Sequence, residues 1–167
     1  MPRRTIRLVT RVISGGQDGA DLAGLIAAKD LGIPTGGAMP LGWRTKSGSH
    51  PEYAELYGCH EHSSPSYPPR TKRNVKDSDG TVRFAYNFHT AGERCTATAL
   101  LAAGKPYFDV TITETSHGVF TIQHSEHQML RFTQWVIREN VKTLNVAGNG
   151  RWEITKLVAD FLRKALA

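Results

Sequence analysis

The apolar positions divide the chain into short β-branched runs alternating with amphipathic stretches. Leu8-Val9 leads into Arg11-Val12-Ile13-Ser14, which runs directly into Gly15-Gly16-Gln17-Asp18-Gly19, and an Ala- and Leu-rich stretch follows from Ala20 to Leu31. That order predicts strand, tight loop, helix. Gly32, Pro34, Gly36 and Gly37 are expected to end the helix, because glycine supplies a C-cap and proline cannot continue one. From Met39 to Pro69 no period of 2 or 3.6 persists, and Gly, Pro, Ser and His recur. This segment reads as a long loop with short structured pieces, equally suited to wall a binding site or to be a plain surface excursion.

Periodicity then returns. A short helix is expected over Arg70 to Lys76, a strand over Thr81 to Tyr86 after the turn signal Asp77-Ser78-Asp79-Gly80, and a helix over Thr96 to Ala103 closed by Gly104 and Pro106. Tyr107 to Val110 reads as the next strand, and Thr111 to Gln123 fits a strand pair or an extended connection equally well. Met129, Phe132 and Val136 place a helix over Glu126 to Arg138, Leu144 to Ala147 forms a buried strand, and Ile154, Leu157, Val158, Phe161 and Leu162 share one face of a terminal helix. Helix alternating with strand predicts one α/β domain over residues 1–167, Rossmann-like and doubly wound, with a mainly parallel sheet and helices on both faces.

A chain of 167 residues buries enough surface to fold without staples. With two cysteines, no early apolar run resembling a signal peptide and no stretch near the ~20 apolar residues of a membrane span, a cytoplasmic location is expected. The net charge of +6 favours anionic partners. The basic residues nevertheless fall in two thin clusters, Arg3, Arg4, Arg7 and Arg11, then Arg70, Lys72, Arg73 and Lys76, without interleaved aromatic residues. A phosphate-bearing small molecule is therefore a better partner than nucleic acid.

Ligands of open parallel sheets lie beyond the carboxyl ends of the strands. Three loops here follow a predicted strand and precede a predicted helix: Ser14 to Gly19, Thr90 to Thr96, and Gly148 to Arg151. The first offers unshielded N–H groups at Gly15, Gly16 and Gly19 next to a helix N-terminus, an arrangement suited to anions, with Gly16 expected to allow close backbone approach. It has neither the dinucleotide-binding spacing nor the lysine of a P-loop, and a simple chain reversal is the alternative. Cys59-His60-Glu61-His62 reads as a polar loop rather than a zinc set, and no metal site is assigned. His124 and His127 read as solvated, and Ser14 and Cys95, with no histidine placed beside them, as structural. No catalytic residue is assigned.

Together, Ser14-Gly15-Gly16-Gln17-Asp18-Gly19-Ala20-Asp21, Pro65-Ser66-Tyr67, Arg70-Thr71, Asn74-Val75, Asp77-Ser78-Asp79-Gly80-Thr81, Gly104-Lys105-Pro106 and Leu144-Asn145-Val146-Ala147-Gly148 resemble the family of putative molybdenum cofactor carriers, over nearly the whole chain. The resemblance implies a Rossmann-like fold shared with cytokinin-activating phosphoribohydrolases, a homo-oligomer, and a phosphate-containing ligand, either molybdenum cofactor or another nucleotide. It implies that Gly15, Gly16, Gln17 and Gly19 line the phosphate site, that Arg70 and Thr71 face it, and that Gly92 and Thr96 close it, with Asp18, Glu93 and Gly148 on the adjoining loops.

The chain departs from the family pattern in four places: Asp18 stands for a usual Thr, Leu22 for Arg, Ala91-Gly92-Glu93 for Gly-Gly-Thr, and Asn149-Gly150-Arg151 for Pro-Arg-Glu. A carboxylate at Asp18 suits an anion site only if it turns away to cap the following helix. Thr96 occupies the position of the phosphoribohydrolases' glutamate and cannot exchange a proton near neutral pH. Binding for carriage or sequestration is thus favoured over that chemistry, with Asp18 and Glu93 leaving a nucleotide N-glycosidase or phosphohydrolase as the alternative.

Overall fold

The computed structural model describes residues 6–167; Arg3 and Arg4 of the first basic cluster lie outside them. β1 (Arg11–Ser14) leads through the Gly-rich loop into α1 (Ala20–Asp30), then β2 (Thr35–Met39). A small hairpin of β3 (Arg44–Thr45) and β4 (Gly48–Ser49) precedes α2 (Tyr53–Tyr57) and β5 (Cys59–Glu61). α3 (Tyr67–Asp77), β6 (Gly80–Ala85), α4 (Ala91–Ala103) and β7 (Tyr107–Thr111) continue the alternation. After a second hairpin, β8 (Thr113–Glu114) and β9 (Phe120–Thr121), come α5 (Ser125–Arg138), β10 (Thr143–Gly148), a 3-10 turn (Trp152–Ile154) and α6 (Thr155–Ala165). None of these helices is long and apolar enough to cross a membrane.

The central sheet has six strands in the order β5-β2-β1-β10-β6-β7, every neighbouring pair parallel. The expected α/β Rossmann-like architecture is therefore present. α1, α5 and α6 pack together on one face, and α3 and α4 on the other. Strand alternation assigns the faces: Val82, Phe84, Leu144 and Val146 join the main core with Phe132, Val158 and Phe161, whereas Thr81, Arg83 and Asn145 occupy the alternate positions and are buried polar residues. The face beneath α3 and α4 thus carries polar groups, and the Asn145 amide donates to Thr81 Oγ1 at 3.1 Å.

Several elements correct the sequence reading. Gly36 and Gly37 do not mark a terminator but lie inside β2, where a Cβ on Gly37 would collide with the Ser14 main chain, so close approach of β1 demands glycine. The polar stretch Cys59-His60-Glu61 is an edge strand, not a loop: it sends Cys59 inward and leaves His60 and Glu61 exposed. α4 starts at Ala91 rather than Thr96, because the Thr90 side chain accepts from Glu93 N at 3.3 Å and caps the helix. α3 starts at Tyr67, since Pro68 and Pro69 fall in its first turn, where a missing N–H is tolerated.

Candidate ligand pocket at the carboxyl edge of the sheet

The connections leaving β1 and β6 diverge to opposite sides of the sheet, and β10 lies between these two strands. The crevice of a doubly wound sheet opens where successive connections part in this way. A cavity of about 550 Å³ opens here, lined by residues of the loops after β1, β6 and β10, by the first turns of α3 and α4, and by Lys46 of the β3–β4 hairpin. Of the residues expected from sequence, Gly15, Gln17, Asp18, Arg70, Thr71, Gly92, Glu93, Thr96 and Gly148 line it together. Gly16 and Gly19 do not. A Cβ on Gly16 would meet Met39 Sδ at 2.8 Å, and one on Gly19 would meet main-chain atoms of Asn149 and Arg151, so these glycines serve internal packing.

Part of the Gly-rich loop is already satisfied from within. Gly16 N donates to Ser14 Oγ at 3.2 Å, Gln17 N to Asp21 Oδ2 at 3.4 Å, and Ala20 N to the Asn149 carbonyl at 3.2 Å. Asp21, in the first turn of α1 and only 5% exposed, places its carboxylate where the sequence reading expected a ligand's anion, and Arg70 Nη1 lies 3.4 Å from it. Burial outweighs Arg70 and the loop amides and pushes Asp21 up to about 6. Sequence reasoning missed this role because an acid at that point is also what any helix start favours.

The opposite wall is the start of α4. Among the described residues, the Ala91 and Gly92 amides donate no hydrogen bond, and a methyl on Gly92 would meet nothing within 4 Å, so this helix end faces open space. Glu93 is 3% exposed and is pushed up to about 7, first by burial and then by the charge of Asp21. Arg83 lies behind it, held by Asp109 through two bonds of 2.7 and 2.6 Å and flanked by the rings of Phe88 and Tyr107. Thr96 Oγ1 donates to the Gly92 carbonyl at 3.1 Å, so its hydroxyl is spent within its own helix.

Asn149 joins the loops. Its Oδ1 accepts from Tyr86 N and Asn87 N at 2.8 and 3.1 Å, its Nδ2 donates to the Asn87 carbonyl at 3.0 Å, and its own carbonyl receives Ala20 N. One residue thereby fixes the loops after β6 and β10 against the start of α1. Asn74 performs a similar task below, bonding both the amide and the carbonyl of Ala38 in β2.

The hairpin leans over the mouth. Asp18 does not cap α1; its Oδ1 accepts from Ser47 Oγ at 2.8 Å, and Gln17 Nε2 donates to the Arg44 carbonyl at 2.9 Å. Ser47 Oγ also lies 2.9 Å from His50 Nε2, and His50 Nδ1 lies 2.8 Å from Glu52 Oε1. This Ser–His–Glu series escaped the sequence reading because it depends on the turn between the strands. With Asp18 competing for the serine proton, it works as a strut that ties the hairpin to the β1 loop.

Other candidates are placed plainly. Ser14 Oγ donates to the Asp21 carbonyl at 2.9 Å, a structural role, while Cys95 lines the cavity. Cys59 is buried and its thiol pushed up to about 12, which makes it unreactive at neutral pH. His124 and His127 are exposed at the start of α5.

Comparison with known proteins supports the fold. The model of the circularly permutated YpsA SLOG family matches residues 12–166. A crystal structure described as that of a putative molybdenum carrier protein from Syntrophus aciditrophicus SB is 30% identical, superposes with a TM-score of 0.83, and covers 96% of this chain and 97% of its own. No curated protein matches the chain.

Proposed function

The chain belongs to the circularly permutated YpsA SLOG family, and on that premise we propose that it binds a phosphate-bearing nucleotide or nucleotide-like molecule for carriage or sequestration. The observation that carries this reading is the convergence of three strand-end loops and the Arg70 side chain on one cavity at the divide of the sheet. Lys46 and Arg70 supply positive charge, the α4 N-terminus supplies free amides along its dipole, and Tyr67 offers an aromatic wall for a base. The anion's place therefore moves from the β1 loop, whose Gly16 and Gln17 amides serve Ser14 and Asp21, toward Arg70, Lys46 and Ala91-Gly92.

The related crystal structure's description as that of a putative molybdenum carrier protein suits an anionic cargo in this cavity. Among the described residues, no group of three or more His, Cys, Asp or Glu is placed to hold a metal ion. Such a cargo would be gripped through its phosphate and ring portions. The raised carboxyls of Asp21 and Glu93 favour one second reading, hydrolysis of the bound nucleotide by acid–base catalysis.

Titration calorimetry with nucleoside monophosphates tests the first reading. Micromolar binding is expected, with Arg70→Ala weakening it at least about tenfold through loss of a charge-assisted contact. Absence of binding by the whole panel overturns it. Chromatography of the same mixtures separates the two readings: unchanged nucleotide supports a carrier, and free base or phosphate supports the enzyme.

A further inference from the structure

Glu93 lines the cavity, yet it accepts no side-chain hydrogen bond among the described residues, and its Oε2 is fully enclosed without a partner. The neighbouring groups are committed elsewhere. Arg83 spends Nε and Nη2 on Asp109 and turns Nη1 to the Glu93 carbonyl at 3.4 Å, not to its carboxylate. Arg70 directs Nη1 at Asp21 and leaves its buried Nε without a partner too, and the Glu93 amide is held by Thr90. Native proteins seldom leave a buried carboxylate oxygen unanswered, and a ligand is the natural source of the missing donors.

Resting on the nucleotide reading above, we propose that Glu93 turns its unanswered carboxylate into the cavity on binding and selects the base, accepting two hydrogen bonds from a ring N–H and the adjacent exocyclic NH2, and so prefers guanine nucleotides. An ionised carboxylate is acceptor-only and presents two oxygens at a spacing that matches two parallel N–H groups. Guanine displays that pair on one edge. Hypoxanthine keeps the N–H and lacks the amine, xanthine turns the amine into a carbonyl that opposes the carboxylate, and adenine places a ring acceptor beside its amine. Tyr67 lies on the same cavity to cover a ring face.

The test is calorimetry at pH 8 with GMP, IMP, XMP and AMP. GMP is expected to bind about tenfold tighter than IMP, the equivalent of one charge-assisted hydrogen bond. XMP and AMP should be weaker still. In Glu93→Gln the side chain offers one acceptor and one donor, so the order of GMP and XMP should reverse, whereas a merely structural glutamate would weaken all four alike. If none of the four binds, the pocket reading falls and this inference with it. If nucleotides bind without base preference, or with adenine preferred, or if GMP preference survives in the glutamine variant, the nucleotide reading stands and the role of Glu93 is overturned. The wild-type series decides the matter even where the variant does not fold.

Discussion

At the scale of single residues, Asp21 couples the site to pH. Its folded-state pKa is raised from an ordinary 3.8 to about 6, so the folded form binds the proton more tightly than the unfolded chain. The associated stability is fully present below pH 4 and is lost as pH rises through 6, about 3 kcal/mol in all. Of this, about 2 kcal/mol falls between pH 4.5 and 7.5. Denaturant titrations at those two values should show Asp21→Asn gaining about that much relative to wild type on going to the higher pH; an unchanged difference would mean that Asp21 titrates normally. Gly16 makes a second case. The sequence suggests a site glycine, but at φ +67° and against Met39 a side chain is strained and crowded, so Gly16→Val should lower stability by about 2–4 kcal/mol and not simply block a ligand. Glu93 was legible from its place between a predicted strand and helix, and Arg70 from the family resemblance. The pairing of Arg70 with Asp21 was not, because it joins positions 49 residues apart through the fold.

At the scale of elements, the loops are rigid where polar side chains replace missing strand contacts. Asn149→Ala would remove three bonds to Tyr86 and Asn87 and leave two amides and a carbonyl unanswered, at a cost of about 2–4 kcal/mol. Hydrogen exchange should then quicken at residues 86 and 87 before it quickens in β6; uniform exchange would deny the clamp. The same logic explains which elements the sequence disclosed. β1, β10 and α6 carry apolar periodicity because they face the main core. β2 was hidden because its glycines answer the proximity of β1, and β5 because an edge strand needs only one inward residue, Cys59. The two hairpins are too short for any period to show.

At the scale of the molecule, the alternation of helix and strand was readable, but strand order was not, since it is written in contacts between distant parts of the chain. β10 pairs with β1 over Arg11 to Ser14 on one side and with β6 on the other, and β1 and β6 do not pair with each other. Truncation after Asn140 should therefore abolish the cooperative thermal transition seen by circular dichroism, rather than merely lower its midpoint. A truncated chain that still melts sharply would show that one half of the sheet is self-sufficient. During synthesis this wiring has a temporal cost. Two half-sheets, each with an unprotected inner border, emerge from the ribosome and must wait for a keystone, β10, that is made only after β7 and α5. At about 5–20 residues per second the interval between β6 and that keystone lasts seconds. The nascent protein spends that time with sticky strand borders in view of its neighbours, so its yield in the cell depends on what shields them as much as on how stable the finished domain becomes.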